Sequence, residues 1–217
     1  MSRSAAHEVP KVFTQFRSLF KIHLRRIMEI PKKQPIFAVA LLVVIACEAL
    51  SRLLGRQRDD DVFAKDYLAR HGIPIEVGRD LFDALRNGLA HVYEPYPILV
   101  RGKLVQPTLA WKGAASLHLK IGTTVIDSDG HQLFRPFRAD AQHLALCLDV
   151  ESMVEDLNEL LSEIHDQLRD DANLSAELVR NARKIRARGT KHRQGASAKG
   201  WHDFITRQAH QSATALD

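Results

Sequence analysis

One stretch of this chain, Arg86-Asn87-Gly88-Leu89-Ala90-His91-Val92-Tyr93, brings together side chains able to act on a phosphodiester. Cleaving RNA without a metal requires three things: a group to take the 2′-hydroxyl proton, a group to protonate the leaving 5′-oxygen, and donors around the charge that builds on phosphorus. Histidine titrates near neutrality and can serve as base or acid. The arginine fork stays charged and matches phosphate oxygens two at a time. Asn87 can orient either. The expected catalytic set is therefore Arg86, Asn87 and His91.

On an α-helix, Asn87 and His91 are four residues apart and share a face, whereas Arg86 lies about 140° from His91. One regular helix does not close such a site. Either the helix distorts before Pro95, or a second copy across a two-fold axis contributes its own Arg and His, which would make the protein an obligate dimer. Gly88 costs helix stability, and its missing side chain would admit a partner helix or substrate. In a chain of this composition an Arg-x4-His-x-Tyr string is expected by chance about 0.01 times.

The Arg86-Asn87-x-x-x-His91 string resembles the RNxxxH signature of HEPN-domain proteins, many of which are metal-independent endoribonucleases. The continuation His91-Val92-Tyr93 is similar to the Arg-x4-His-x-Tyr form of HEPN toxins. The resemblance implies a mainly α, HEPN-like antiparallel helical bundle and a cytoplasmic homodimer with a composite active site at its axis. It also implies a setting in toxin–antitoxin or antiviral defence systems, with an antitoxin or a nucleotidyltransferase as partner. In that setting Tyr93 would be the residue a nucleotidyltransferase modifies, and Glu48 an accessory acid near the site. From the residues alone, Glu48 equally reads as a partner of Arg52 one turn on.

Several elements must position these residues. Apolar side chains recur at helical spacing from Val9 to Ile30, ending before Pro31. Ile36 to Leu50 reads as a helix buried on most sides, ending near Gly55. Asp59 to Asp61 would cap a third helix running to about His71. The motif helix starts near Glu76 and stops at Pro95 and Pro97. Residues 98–137 alternate and contain the turn Ser128-Asp129-Gly130, which predicts a small β-hairpin or three-stranded insertion. Helical periodicity resumes near Asp140 and runs to about Asp170, and Ser175 to Arg188 forms a last helix. This divides the chain into a basic N-terminal helix (1–33), a helical domain with the insertion (34–188) and a flexible basic tail (189–217).

The 217 residues are 45% apolar and 26% charged, values of a folding chain with its own core. Cys47 and Cys147 form no CxxC pair and suit a reducing compartment, and residues 1–30 lack the features of a secretory signal. A fifteen-residue apolar run is short of the roughly 20 residues that span a bilayer, so a membrane anchor is the lesser reading. The net charge of +5 is uneven: residues 178–200 hold eight Lys or Arg and no acid. Arg180, Arg183 and Lys184 are the expected RNA-backbone contacts. No metal or cofactor is expected: His143 and Cys147, four apart, read as core packing, and HExxH, Gly-rich phosphate loops and GxSxG are missing. Two readings follow, a metal-independent endoribonuclease, and a non-catalytic HEPN-like dimer module that binds RNA or protein.

Overall fold

Length and apolar content make Ile36–Leu53 the organising helix. In the computed structural model, which describes residues 8–29, 36–91, 94–100, 103–110, 119–126, 132–136 and 143–189, this helix (α2) buries ten of its eighteen residues. Val39, Ala40, Val43, Val44, Ala46, Cys47 and Leu50 are fully buried. Among the described residues α2 is the one helix long and apolar enough to cross a membrane by length and composition. Its termination is chemical. Gly55 adopts φ +68°, and the Gly55 and Arg56 amides donate to the Arg52 and Ser51 carbonyls, closing the helix in the paired pattern that a left-handed residue allows.

Around α2 pack α1 (Lys11–Met28), α3 (Ile75–His91) and α4 (Val150–Asp170), with α5 (Ala172–Gly189) following α4. Phe13 and Leu24 of α1, Leu81, Leu85 and Leu89 of α3, and Met153, Leu157, Leu161 and Leu168 of α4 meet in one core, so α1 is integral to it. The protein is mainly helical, as its periodicity predicts. The segment after Asp61 is less regular than the capped helix expected there: Val62–Tyr67 forms a π-helical turn and Leu68–His71 a 3-10 turn. The Asp61 carboxylate makes no cap to its own turn; it accepts from the Arg58 amide and pairs with Lys65 and Arg79.

The β region is larger than the expected hairpin or three-stranded insertion. Five strands, β1 (Ile98–Val100), β2 (Lys103–Ala110), β3 (Leu119–Ile126), β4 (Gln132–Pro136) and β5 (His143–Asp149), form one mixed sheet in the order β1-β2-β5-β3-β4. The β2 and β5 strands run parallel and the other pairs antiparallel. Strand β5 replaces the start of the helix predicted from Asp140. Leu144 and Leu148, four apart, satisfy both a helical period and a period of two, and a sequence window cannot separate them. Leu146, Cys147 and Leu148 are buried on both faces of the sheet, as a central strand requires.

Asp149 ends β5 and starts α4: buried, it accepts from the Ser152 amide at 3.0 Å. Asp149→Ala is expected to lower stability by about 1–2 kcal/mol, read as a shift in urea midpoint at unchanged slope. The chain divides into two units, Met1–Ala182 and Arg183–Asp217. The tail expected at 189–217 lies outside the described residues from residue 190 onward.

Candidate functional site

Arg86 leaves the middle of α3 toward α2, and its Nε donates to Glu48 Oε2 at 3.2 Å. Glu48 is a buried acid on a predominantly apolar helix, its side chain only 11% exposed. Burial of that kind requires paired charge. The pairing is double, since Arg52 donates to Glu48 Oε1 at 2.6 Å. The two readings of Glu48, accessory acid beside Arg86 and partner of Arg52, are thus both realised in one side chain. Arg52 in turn grips Asp59 with two bonds, at 2.9 and 2.7 Å. The resulting chain of alternating charge, Arg86–Glu48–Arg52–Asp59, fixes the Arg86 side chain from behind.

These groups border a cleft of about 320 Å³ whose lining also includes Arg58, Asp60, Phe82, Asp83 and Asn87. Arg58 and Asp60 pair through two bonds, at 3.0 and 3.1 Å. Arg86 and Asn87, adjacent on α3, therefore open into the same space, which carries four carboxylates against three guanidiniums. The Arg52 hydrogen bond, with the charges of Arg52 and Arg86, holds the Asp59 carboxyl below its ordinary range against the opposing effect of burial. Burial, and then the nearby Asp60 and Asp80, push Asp83 the other way despite Arg58.

The depressed Asp59 carboxyl ties stability to acid. A carboxylate that binds its proton less readily when folded contributes stability that is present above its unfolded pKa and lost as pH falls through the lower folded value. The stability difference between wild type and Asp59→Asn is accordingly expected at neutral pH and should shrink below about pH 4. With Asp59 half exposed, the difference should stay near about 1 kcal/mol or less, measured by urea unfolding across pH.

His91 is the last residue of α3, exposed, and outside the cleft that Arg86 and Asn87 line. Within one chain the motif thus divides, with Arg86, Asn87 and Glu48 together and His91 one turn farther along the face of Asn87. Tyr93 lies outside the described residues. Gly88 does not make room for a partner helix or substrate. The chain's own return from α3 occupies that space: the Tyr96 amide donates to the Ala84 carbonyl at 3.0 Å, and backbone atoms of residues 94–96 lie against Gly88.

Arg180, Arg183 and Lys184 are exposed on α5. His143 and Cys147 sit on a strand, about 13 Å apart along the backbone at 3.3 Å per residue, so the helical spacing that would let both hold one metal is not present. Among the described residues no group of three His, Cys, Asp or Glu is arranged to hold a metal ion.

No family model, curated protein or solved structure matches this chain. The site therefore stands on its own geometry. Arg58 and Asp83 were missing from the sequence reading, Asp59 and Asp60 entered it only as part of a helix cap, and Arg52 only as a partner of Glu48. The available signal was the dense run of charge after Glu48, with Arg52, Arg56 and Arg58 followed by Asp59, Asp60 and Asp61, together with Asp83 one turn before Asn87.

Proposed function

We propose that the chain is a HEPN-type endoribonuclease that cleaves RNA by 2′-hydroxyl attack, without a metal, leaving a 2′,3′-cyclic phosphate. The observation that carries this reading is the convergence of Arg86 and Asn87 in one cleft, with Arg86 held by the buried Glu48. A guanidinium braced from behind keeps its remaining N–H donors for a phosphate and loses little freedom on binding it. In this reading Arg86 stabilises charge on phosphorus, Asn87 orients the substrate or the histidine, and His91 moves the protons.

Because His91 lies outside the cleft of its own chain, the complete site draws on a second copy. The outward side of α2 supports that assembly. Phe37 and Ile45 are 38% and 39% exposed on the helix that carries Glu48, an apolar surface suited to self-association. A cytoplasmic toxin or defence role, with an antitoxin or nucleotidyltransferase as partner of Tyr93, belongs to the same proposal and rests on the motif resemblance. The exposed cations Arg180, Arg183 and Lys184 would add affinity for RNA backbone.

One observation favours the non-catalytic alternative, an RNA- or protein-binding HEPN-like dimer: the Arg86 guanidinium is already engaged by Glu48. Incubating purified protein with total RNA in excess EDTA, beside Arg86→Ala and His91→Ala, separates the two. Cleavage by wild type alone supports the enzyme. Binding without cleavage in every lane, from a folded dimer, supports the module.

A further inference from the structure

The cleft contains one carboxylate that the chain of ion pairs does not use. Arg52 is taken by Glu48 and Asp59, Arg86 by Glu48, and Arg58 by Asp60. Asp83 lines the same cleft, is exposed, and has no ion-pair partner among the described residues. Partial burial and the neighbouring Asp60 and Asp80 hold its carboxyl above the ordinary range, outweighing the opposite pull of Arg58. Asp83, Arg86 and Asn87 are related as i, i+3 and i+4 on α3, so their side chains leave one face with about 5–6 Å between neighbouring β-carbons.

An ionised carboxylate offers two acceptors and no donor, while an asparagine amide offers one acceptor and two donors. Unstacked RNA bases are read on their Watson–Crick edges. On that edge only guanine presents two adjacent N–H donors, at N1 and N2, beside an acceptor at O6. Adenine and cytosine set an acceptor next to their amino group, and uracil flanks its single N–H with two carbonyls. A carboxylate next to an amide donor is the complement of guanine alone. The cleft, about 320 Å³, lies at the small end of ligand pockets, a size for one base. The Arg58 guanidinium on its wall offers a plane for stacking.

We propose that Asp83 and Asn87 form a guanine-recognition site in this cleft, beside Arg86, which takes the adjoining phosphate. Asp83 accepts from guanine N1–H and N2–H, and Asn87 donates to O6. For the nuclease this makes Asp83 a specificity-determining residue, directing cleavage to guanosine-flanked bonds. The inference rests on the RNA-cleavage reading for its biological meaning, and its test does not require cleavage.

Calorimetric titration of the full chain with the 5′-monophosphates of guanosine, adenosine, cytidine and uridine at neutral pH provides that test. Wild type is expected to bind the guanosine nucleotide tighter than each of the others by about tenfold or more, the scale of a pair of hydrogen bonds to a charged group. Asp83→Asn, which places an N–H where an acceptor is needed, should abolish the preference. Asp80→Asn removes the same charge one turn away, outside the cleft lining, and should keep it. Four equal affinities, or a preference that survives Asp83→Asn, would overturn the proposal. Free arginine, whose guanidinium also carries paired donors, is titrated in parallel; Asp83-dependent binding of arginine with no guanine preference would overturn it in favour of a cationic ligand. Guanine selectivity in a protein that leaves RNA intact would sink the nuclease reading alone, and cleaved RNA with no selectivity would sink this inference alone.

Discussion

His91→Ala is expected to lower RNA cleavage by about 10³-fold while leaving the fold in place. General acid–base groups contribute on the order of 10²–10⁴ in rate. His91 stands exposed at the end of α3, so removing it disturbs no core contact and forfeits at most its favourable position at a helix C-terminus, under about 1 kcal/mol. Arg86→Ala should be comparably inactive for a different reason and should also be less stable. It leaves Glu48, an acid only 11% exposed, with one guanidinium where it had two. Single-turnover cleavage in EDTA with urea unfolding of each variant reads both quantities. A His91→Ala variant that cleaves at the wild-type rate would remove histidine from the mechanism.

The separation of His91 from the cleft adds a sharper form of the same prediction. If Arg86 of one copy works with His91 of the other, co-expressed Arg86→Ala and His91→Ala chains form heterodimers in which one of the two sites is intact. Random pairing then restores about a quarter of wild-type activity from two inactive parents. Restoration well above background supports the shared site. A mixture as inactive as either parent would place all three residues in one chain's site.

Gly88→Ala is expected to destabilise the protein by about 2–3 kcal/mol, although alanine is the better helix former by about 1 kcal/mol. A β-carbon at this position would overlap the Glu94 carbonyl oxygen and lie 2.6 Å from the Tyr96 nitrogen and 2.9 Å from the Pro95 carbonyl carbon. All three are backbone atoms, which cannot swing aside as a side-chain tip can. Relief requires moving residues 94–96 away, breaking the 3.0 Å bond from the Tyr96 amide to the Ala84 carbonyl and loosening the end of α3 that carries Asn87 and His91. The urea midpoint should fall and cleavage should fall with it. A rise in stability would mean that the return segment yields at little cost and that helix propensity governs the position.

Most of the helical content was legible in the sequence because apolar spacing is a local property. The α1, α2 and α3 helices fall where their periodicity, prolines and Gly55 place them, to within a few residues. The motif was legible too, since residue type and spacing alone mark side chains that could act on phosphate, and spacing also marked Glu48 as a partner of Arg52, whereas its place beside Arg86 was implied only by the HEPN resemblance. Where two periods coincide, local information fails. The leucines of β5 fit helix and strand alike, and only pairing with β2 and β3, strands distant in sequence, selects the extended form. The site itself was beyond local reading for the same reason. Glu48 and Arg86 are thirty-eight residues apart and meet because α2 packs on α3. Asp59, read as a helix cap, becomes the far end of an ion-pair chain because Arg52 reaches it across the turn that follows α2. The purpose of Gly88 likewise depends on where the chain goes after His91, which no helical window contains. Spacing determined which side chains could do chemistry. Packing decided which of them share a cleft, because burial obliges charges to find partners wherever the fold brings them.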